Sequence, residues 1–568
     1  QKVSKLLHRS PVSILCSEKC SHSFLVLLKA MTVPLEHILA EVNLAVNNEF
    51  NDNTTQVSEN AEDDDQVEEP EESKVEQMAN WLTQMNVIRE DLVRAIPVHD
   101  SLSSFGYVFR SRKNQKNKLA SFHRSVPSER ISEFWSHSWQ LAAWKKILTL
   151  LFLKNGLAAL CLGTLAALLG FTLSYTQLLP SVLGFGGKVS FWSTLFGVFT
   201  FGATLLLWRN QERVFLDVCC INQADNIDKG EGILSLGGIL KRSEKMLVLW
   251  DRSYIERLWC MFELAAFIKS RGGHPPQVEI RPTLLGPCAV AIFAAVLMLV
   301  VVLATMISHQ QQGETYLLVI AALLFLILYP AAVTFRHYFH SVDTMCTQLH
   351  DFQIHKTQCY CCTVGHENDD ENSLCDREIV QRCIQAWFGG EREFEEEMKS
   401  VALTSVSQQL GQHLFPYWLL LVSSAPFNWI MLDLAVENLL FMKLGSFWLF
   451  WLITGLGWWL GAFPTLITVF LFAAKKLRQP TKYLCSDILV NLLVILALLP
   501  AFFVIFGSLV VISLFTPLEE WQSALVCSCF HIFLAWIMWY LLPRLLRSKR
   551  TGTADQSDAD AHRFPATM

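Results

Sequence analysis

Long apolar runs separated by short polar stretches dominate the pattern of this chain. A helix needs roughly 20 mainly apolar residues to cross about 30 Å of hydrocarbon. Eight runs are long enough, at about 156–178, 189–208, 284–307, 316–335, 415–435, 447–473, 487–513 and 522–543. Eight such runs cannot fit inside one small soluble core, so the pattern predicts a multi-pass α-helical membrane protein with about eight spans. The fifth run is the weakest, because Pro426, Asn428, Asp433 and Glu437 interrupt or flank it.

Composition agrees with membrane insertion. The 568 residues are 52% hydrophobic and only 17% charged, which lies outside the range of soluble globular proteins. Few of the charges fall within the runs, which argues against a proton relay or a voltage sensor. Most of the 16 cysteines fall in the runs or in segments assigned to the cytosol, where thiols stay reduced, so no disulfide framework is predicted.

Basic residues beside the runs set the orientation, because cytosolic loops carry an excess of Lys and Arg. One side carries Lys145, Lys146, Arg209, Arg213, Arg281, Arg336, Lys475, Lys476, Arg478, Lys482, Arg544, Arg547, Lys549 and Arg550. The opposite side carries only Lys188 and Lys443, in loops 179–188, 308–315, 436–446 and 514–521. The asymmetry predicts that both termini, 209–282 and 336–413 face the cytosol.

The polar segments divide the rest of the chain. Residues 1–50 form an N-terminal segment without a clear assignment, and 51–77 are acidic and lack aromatic residues, which predicts a disordered linker. Residues 78–130 are assigned to an amphipathic helix and a connector, with Trp81, Met85, Ile88, Leu92 and Ile96 at helical spacing. The polar tail 551–568 is also predicted to be disordered.

Before and after the first pair of spans, the periodicity changes to alternating strands and helices. Residues 131–139 indicate a strand, and a helix at about 140–154 leads into the first span. Then 213–220 and 245–250 read as buried strands and 277–282 as a third, with helices at about 230–244 and 253–270. This order predicts a doubly wound parallel sheet. The domain would comprise 131–155 and 209–282, interrupted by the hairpin 156–208.

The order of these pieces resembles the TIR domain. Ser136-His137-Ser138-Trp139 looks like the end of that family's first strand, and Val214–Asp217 resembles its second. Gly230 and Gly232 fall where the following loop carries glycine, and Ser243 with 246–249 resembles the helix end and third strand. Residues 259–264, Trp-Cys-Met-Phe-Glu-Leu, match the Trp-Cys-x-x-Glu-Leu start of a family helix. Residues 217–223 also look like the Asp-x-x-Cys-Ile-Asn-Gln signature of HET domains.

The resemblance implies a definite chemistry. In catalytic TIR domains the glutamate of this helix faces the nicotinamide ribose of NAD, which makes Glu263 the catalytic candidate. Breaking the glycosidic bond develops positive charge on the ribose, which a nearby carboxylate stabilises. Trp259 would shape the pocket, and Ser136 and His137 would line it at the end of the first strand. Asn222, Gln223 and Asp225 could contact polar parts of the ligand.

Structural explanations exist for the same residues. Glu263 could complement the dipole of its helix in the first turn, Trp259 could belong to the core, and Asp217 could cap the turn after its strand. A signalling or assembly module without turnover is therefore the favoured alternative to catalysis.

A cysteine-rich stretch lies in the cytosolic segment 336–413. Cys359, Cys361, Cys362, His366 and Cys375 are residue types that bind zinc in tetrahedral sites, but their spacing matches no standard zinc finger. Buried thiols that pack a loop are the favoured alternative. The helix that follows ends at Gly389-Gly390 and is expected to dock against the α/β domain.

Two features stand out in the membrane region, which consists of the hairpin 284–335 and the four spans of 415–546. Asp433 and Glu437 share one helix face, either along an ion path or, as favoured, at the outer boundary. Gly457 and Gly461 form a small-xxx-small pair suited to close helix packing, and Trp458 and Trp459 are expected to pack on neighbouring helices.

The sequence thus predicts an integral membrane signalling protein with a cytosolic TIR-like domain that cleaves NAD or assembles through TIR-type contacts. The alternative is a channel or transporter regulated by a non-catalytic TIR-like domain. No cofactor is required; NAD is a candidate substrate and zinc a candidate ligand. The expected partners are the lipid bilayer and further copies of the chain, not nucleic acid.

Overall fold

The computed structural model describes residues 71–110, 115–140, 142–184, 187–308, 314–359, 362–363, 375–409, 415–442, 445–515 and 518–541. Predictions for 1–70 and for the tail 551–568 lie outside these residues. The described chain is mostly helical with a small mixed sheet. It divides into two compact units: the α/β unit, within Gln1–Ala143, Arg209–Arg281 and Met345–Ser405, and the helical unit, within Trp144–Trp208, Pro282–Thr344 and Val406–Met568.

The strands of the described residues are short. They are β1 (Arg94–Pro97), β2 (Val126–Pro127), β3 (Ile131–His137), β4 (Val182–Gly184), β5 (Gly187–Val189), β6 (Arg213–Phe215), β7 (Ser243–Trp250) and β8 (Val278–Pro282).

The α-helices range from one turn to ten. They are α1 (Glu71–Gln84), α2 (Val98–Arg110), α3 (Gln115–Phe122), α4 (Ala143–Tyr175), α5 (Trp192–Leu207), α6 (Asp217–Cys220), α7 (Asn226–Leu234), α8 (Leu236–Arg242), α9 (Leu258–Lys269), α10 (Leu285–Ser308), α11 (Glu314–His350), α12 (Asp376–Phe388), α13 (Glu391–Gln409), α14 (Tyr417–Glu437), α15 (Phe447–Gly457), α16 (Phe463–Lys476), α17 (Leu484–Leu496), α18 (Leu498–Phe515) and α19 (Glu520–Trp536).

The α/β unit is built on a six-stranded sheet in the order β2-β1-β6-β3-β7-β8. Strand β3 lies in the middle and runs parallel to both β6 and β7. The expected pairing of 131–138 with the strands that follow the first hairpin is therefore confirmed. Burial on both faces explains the continuous apolar run over residues 246–250 of β7. Phe134 of β3 and Phe215 of β6 stack with ring centroids 4.8 Å apart.

The sheet is mixed, whereas the sequence predicted a parallel one. Strand β1 pairs antiparallel with β6, and β2 pairs antiparallel with β1. Both strands lie in 78–130, which was assigned to a helix and a connector. Helix α1 ends at Gln84, Met85 adopts a left-handed φ of 55°, and Ile96 belongs to β1. The helical spacing up to Ile96 was misleading, because Ile96 lies in a strand. It pairs with β6 there and is completely buried.

Two further predictions need correction. Residues 71–77 were assigned to the disordered linker but form the first half of α1. The helix is stabilised by its apolar face, on which Val75, Ala79 and Leu82 are buried. The strand predicted over 213–220 ends at Phe215, and 217–220 form the helical turn α6. The Asp217 carboxylate accepts a hydrogen bond from the Val218 amide at 2.7 Å, which favours the turn over further strand.

Helix α12 docks within the α/β unit, as expected. Its Trp387 indole donates to the Thr83 carbonyl of α1 at 3.1 Å and packs against Phe262 of α9 with centroids 5.6 Å apart. The helix ends at Gly389, whose φ of 86° is the left-handed conformation that glycine adopts at low cost.

The helical unit contains the apolar runs. Among the described residues, six helical segments are long and apolar enough to cross a membrane: Ala143–Tyr175, Leu285–Val302, Tyr417–Leu440, Phe447–Lys476, Leu484–Ile512 and Glu520–Tyr540. The second predicted span falls on α5, an apolar helix of 16 residues, and the fourth on the first part of α11. A membrane protein of helices is thus supported, with six segments meeting the length and composition requirement.

Helix α14, the weakest prediction, is the most buried of these segments. Nearly all of its residues pack against protein, including Pro426 and Asp433. Its low hydropathy therefore reflects a position among other helices. Asp433 is not at a solvated boundary, because it is 1% exposed and accepts hydrogen bonds from the Ser193 and Thr194 amides at 2.9 Å each.

Close helix packing at the small-residue pair is confirmed. A Cβ atom added at Gly457 would overlap Ser528, and one added at Gly461 would overlap the backbone of His531, so both glycines face α19. The neighbouring tryptophans face α14. Trp458 stacks on Phe427 with centroids 5.6 Å apart, and Trp459 donates to the Leu421 carbonyl at 3.0 Å.

Candidate functional site

Polar side chains gather where three parallel strands end. Because β6, β3 and β7 run in one direction, the residues that follow them meet at one edge of the sheet. In open α/β sheets, ligands bind at this carboxyl edge. The residues placed there are Asp217 after β6, Ser136, His137, Ser138 and Trp139 at the end of β3, and Asp251 to Tyr254 after β7.

Glu263 of α9 points to this edge. The Ser136 hydroxyl donates to its carboxylate at 2.5 Å, and the Tyr254 hydroxyl lies 2.8 Å from the Ser136 oxygen. A serine hydroxyl has one proton, so Ser136 accepts from Tyr254 while it donates to Glu263. Tyr254 also lies 3.5 Å from the Cys260 carbonyl, at the limit of a hydrogen bond. The result is a hydrogen-bond chain from Tyr254 through Ser136 to Glu263.

The environment of Glu263 changes its acidity. Burial raises the pKa of the Glu263 carboxyl from 4.5 to about 8, the Ser136 hydrogen bond lowers it in part, and the negative charge of Asp217 raises it further. Glu263 nevertheless keeps partial solvent exposure, whereas Tyr254 and Ser136 are fully buried. A partly accessible carboxyl with a strongly shifted pKa is typical of functional sites.

Asp217 and Trp139 form the other accessible part of the edge. The Trp139 indole donates to the Asp217 carboxylate at 2.9 Å, and both residues are partly exposed. The His137 ring packs edge-on against Trp139 with centroids 4.2 Å apart and is buried. His137, a predicted substrate contact, therefore supports the indole from inside the protein.

A second set of hydrogen bonds fixes the end of β3 to the turn after β7. The buried Asp251 carboxylate accepts hydrogen bonds from the amide and the hydroxyl of Ser253. The Ser253 hydroxyl lies 2.7 Å from that of Ser138. These contacts hold the strand end rigid, which positions Ser136 for its contact with Glu263.

Trp259, predicted to shape the pocket, has a partner on another helix. Its indole donates to the Asp376 carboxylate at the start of α12, at 3.1 Å. Its ring meets Phe262 edge-on with centroids 5.4 Å apart. The described contacts of Trp259 anchor α9 to α12.

The polar residues of the loop 222–225 serve that loop. Asp225 caps α7 by accepting from the Ile227 and Asp228 amides at 2.8 and 3.0 Å. The Asn222 amide donates to Asp228 at 2.8 Å. Gln223 is partly exposed in the same loop. The hydrogen bonds of Asn222 and Asp225 thus account for their polarity without a ligand.

The predicted zinc ligands are described only in part. Cys361 and His366 lie outside the described residues, and Cys359 is buried. The sulfur atoms of Cys362 and Cys375 lie 3.7 Å apart. In the part of the chain that the structure describes, no three His, Cys, Asp or Glu side chains come together to hold a metal.

Sequence reasoning missed Tyr254 and the contact of Trp139 with Asp217. Residues 253–257 were assigned to the following helix, but α9 begins at Leu258 and Tyr254 lies in the turn before it. The signal was present in the rule that parallel strands end at one edge. Applied to β6, β3 and β7, it selects Asp217, Ser136 to Trp139 and the turn with Tyr254.

Comparison with known proteins found no matching family model, no similar curated protein and no similar solved structure.

Proposed function

We propose that this chain is an integral membrane signalling protein whose α/β unit is TIR-like and cleaves the nicotinamide glycosidic bond of NAD at Glu263. The observation that carries the proposal is the position of Glu263, a partly exposed carboxyl with a pKa of about 8, at the carboxyl edge of the parallel strands. The motif resemblance supplies the substrate, and the hydrogen-bond chain through Ser136 supplies the means to hold the carboxylate.

The charges of the reaction fit this site. The nicotinamide ring of NAD is cationic, and bond cleavage transfers positive charge to the ribose while neutral nicotinamide leaves. Nicotinamide needs no proton to leave, so the ionised form of Glu263 is the useful one. A cation beside Glu263 lowers the pKa of the carboxyl, so substrate binding favours its ionisation. The carboxylate then stabilises the ribosyl cation electrostatically.

The hydrogen-bond chain adds to this role. Ser136 donates its proton to Glu263 and Tyr254 donates to Ser136, so both dipoles favour negative charge on Glu263. The chain also fixes the direction of the carboxylate, because Tyr254 and Ser136 are buried and cannot reorient freely. Positioning before the reaction is what electrostatic catalysis requires.

The membrane topology belongs to the same proposal. Eight spans, with both termini and the segments 209–282 and 336–413 in the cytosol, agree with the asymmetry of basic residues. The two runs beyond the six long apolar segments fall on α5 and on the first part of α11. This topology would expose Glu263 to cytosolic NAD.

Two buried charged groups of the helical unit, Asp433 and Arg336, give no support to the channel or transporter alternative. Asp433 binds two amides at the start of α5, and Arg336 of α11 binds Asp487 at 2.7 Å and Asn491 at 2.8 Å. These groups hold helices together in the structure.

The test is NAD cleavage by the full chain in lipid nanodiscs, measured as nicotinamide release. Glu263→Gln should lower the rate by about 10² to 10³, because the loss of one such electrostatic contact costs about 3 to 4 kcal/mol. Glu256→Gln is the matched control, since Glu256 is exposed and precedes the same helix. Wild-type protein without nicotinamide release, even at high density in the membrane, would overturn the enzyme proposal and leave a module that acts by assembly.

A further inference from the structure

Two cysteine thiols face each other at the start of α12. The Cys362 and Cys375 sulfur atoms lie 3.7 Å apart and belong to positions 13 residues apart in the chain. Cys362 is exposed and Cys375 is partly exposed. A disulfide has a sulfur–sulfur distance of about 2.05 Å, so the two atoms need to approach by less than 2 Å. Side-chain rotation can supply a movement of that size.

Each cysteine is close in sequence to a residue that contacts the beginning of α9. Cys362 follows the segment that carries Gln358, and the Gln358 amide donates to the Glu256 carbonyl at 2.6 Å. The Gln358 carbonyl accepts from the Leu258 amide at 3.3 Å. This backbone bridge lies directly before the first turn of α9.

Cys375 belongs to the other segment, since it immediately precedes α12. The next residue, Asp376, accepts the indole proton of Trp259 in the first turn of α9. Arg377 donates to the Thr357 carbonyl at 2.5 Å, so the two segments already contact each other. The start of α9 is therefore held on one side by the bridge and on the other by α12.

We infer that Cys362 and Cys375 are a thiol modification site that closes to a disulfide on reaction with a hydroperoxide. The disulfide covalently joins the two segments that hold the start of α9. It thereby restricts the motion of the first turn of α9, which precedes Glu263. The inference concerns these contacts and does not rest on NAD cleavage.

The chemistry needs one hydroperoxide molecule. The more exposed Cys362 thiolate attacks the peroxide oxygen, the O–O bond breaks, and a sulfenic acid forms with release of hydroxide or alkoxide. The Cys375 thiolate then attacks the sulfenic sulfur, the S–S bond forms and the sulfenic oxygen leaves as water after protonation. The two thiols lose two electrons, which reduce the peroxide. A dithiol reductant reverses the reaction by exchange.

The first arm of the test maps the bond. The full chain in nanodiscs is treated with hydrogen peroxide, remaining thiols are alkylated, and the digest is analysed by mass spectrometry. A peptide linked through Cys362 and Cys375 is expected, and dithiothreitol should remove it. Cys362→Ser and Cys375→Ser should abolish it, while Cys346→Ser, a matched change in α11, should retain it.

The second arm measures amide hydrogen exchange over 257–263. Oxidation should slow exchange there by about tenfold or more, because a cross-link restricts local opening. The slowing should be absent from both single variants and present in Cys346→Ser.

Several results would overturn the inference. A linked peptide that joins Cys362 or Cys375 to a different cysteine excludes the pair. Overoxidation of Cys362 without a linked peptide excludes the second step. Co-purified zinc that protects both thiols until a chelator is added would make the pair a metal site. The expected disulfide without slower exchange over 257–263 would exclude its coupling to α9.

Discussion

Ser136 and Glu263 are joined by a 2.5 Å hydrogen bond although 127 positions separate them in the chain. The bond links the end of β3 to α9, and the predicted hairpin 156–208 lies between these elements in the sequence. The strand before that hairpin and the helix after it thus contribute to one site.

We expect the pH dependence of NAD cleavage to follow the pKa of Glu263, which burial raises and the Ser136 hydroxyl lowers in part. The resulting pKa of Glu263 is about 8. Because the ionised carboxylate is the active form, kcat/KM should rise with pH and reach half of its maximum near pH 8. Ser136→Ala removes a donor to the carboxylate, so the midpoint should move to higher pH. Ser132→Ala is the control, because Ser132 is a partly exposed serine near the start of the same strand. A profile whose midpoint is unchanged in Ser136→Ala would show that this bond does not tune Glu263.

Glu263 should also make the stability of the α/β unit depend on pH. Its pKa is raised from 4.5 to about 8, so the folded protein retains a proton that the unfolded chain has lost in that interval. The stabilisation by the protonated form is complete below pH 4.5, is lost as pH rises towards 8, and changes no further above it. Glu263→Gln carries no titrating proton and should lose less stability over the same interval.

The measurement is the unfolding temperature of wild type and variants from pH 5 to 9. The gain in unfolding temperature of Glu263→Gln over wild type should grow from pH 5 to pH 8 and then level off. Glu256→Gln should follow wild type at each pH. A difference that is independent of pH would place the pKa of Glu263 near its ordinary value.

The part of the fold that follows apolar periodicity could be predicted, and the part set by distant contacts could not. Residues 246–250 of β7 are buried on both faces, so their apolar run is unambiguous. Strand β1 has only four residues and exists through pairing with β6 and β2, which leaves no periodic signal. Helix α1 extends into an acidic segment because its apolar face meets α12, a helix about 300 positions away.

The site shows the same division. The Trp-Cys-x-x-Glu match made Glu263 the catalytic candidate, but the environment of Glu263 depends on Ser136 and Tyr254, which come from different elements. Asp225 and Asn222 were selected because polar loop residues can bind ligands, whereas their hydrogen bonds close the loop at the start of α7. Local sequence could not decide between these roles because both require the same residue types.

The topology can be tested by labelling single cysteines in a version without other accessible thiols. Cysteines in loops 308–315 and 514–521 should react with a membrane-impermeant reagent in intact cells, because these loops lack basic residues. Glu256→Cys, at an exposed position of the α/β unit, should react only after permeabilisation. Labelling of Glu256→Cys in intact cells would reverse the proposed orientation.

Asp433 should stabilise the helical unit by capping α5. The first amides of a helix have no partner within the helix, and in hydrocarbon an unpaired amide is costly. Each carboxylate oxygen of Asp433 accepts one amide proton, from Ser193 and from Thr194. Asp433→Ala should lower the free energy of unfolding by about 1 to 2 kcal/mol, the usual effect of losing an N-cap side chain.

Asp433→Asn separates charge from geometry at this cap. The amide side chain has one acceptor oxygen, so its NH2 group would face an amide N–H of α5 and one bond would be lost. We therefore expect Asn to recover only part of the loss caused by Ala, measured by reversible unfolding in bilayers. Glu437→Gln, one turn along the same helix, should change stability by less than about 0.5 kcal/mol. Full recovery by Asn would mean that a single acceptor is enough to cap α5, and no loss in Asp433→Ala would mean that α5 does not depend on the cap.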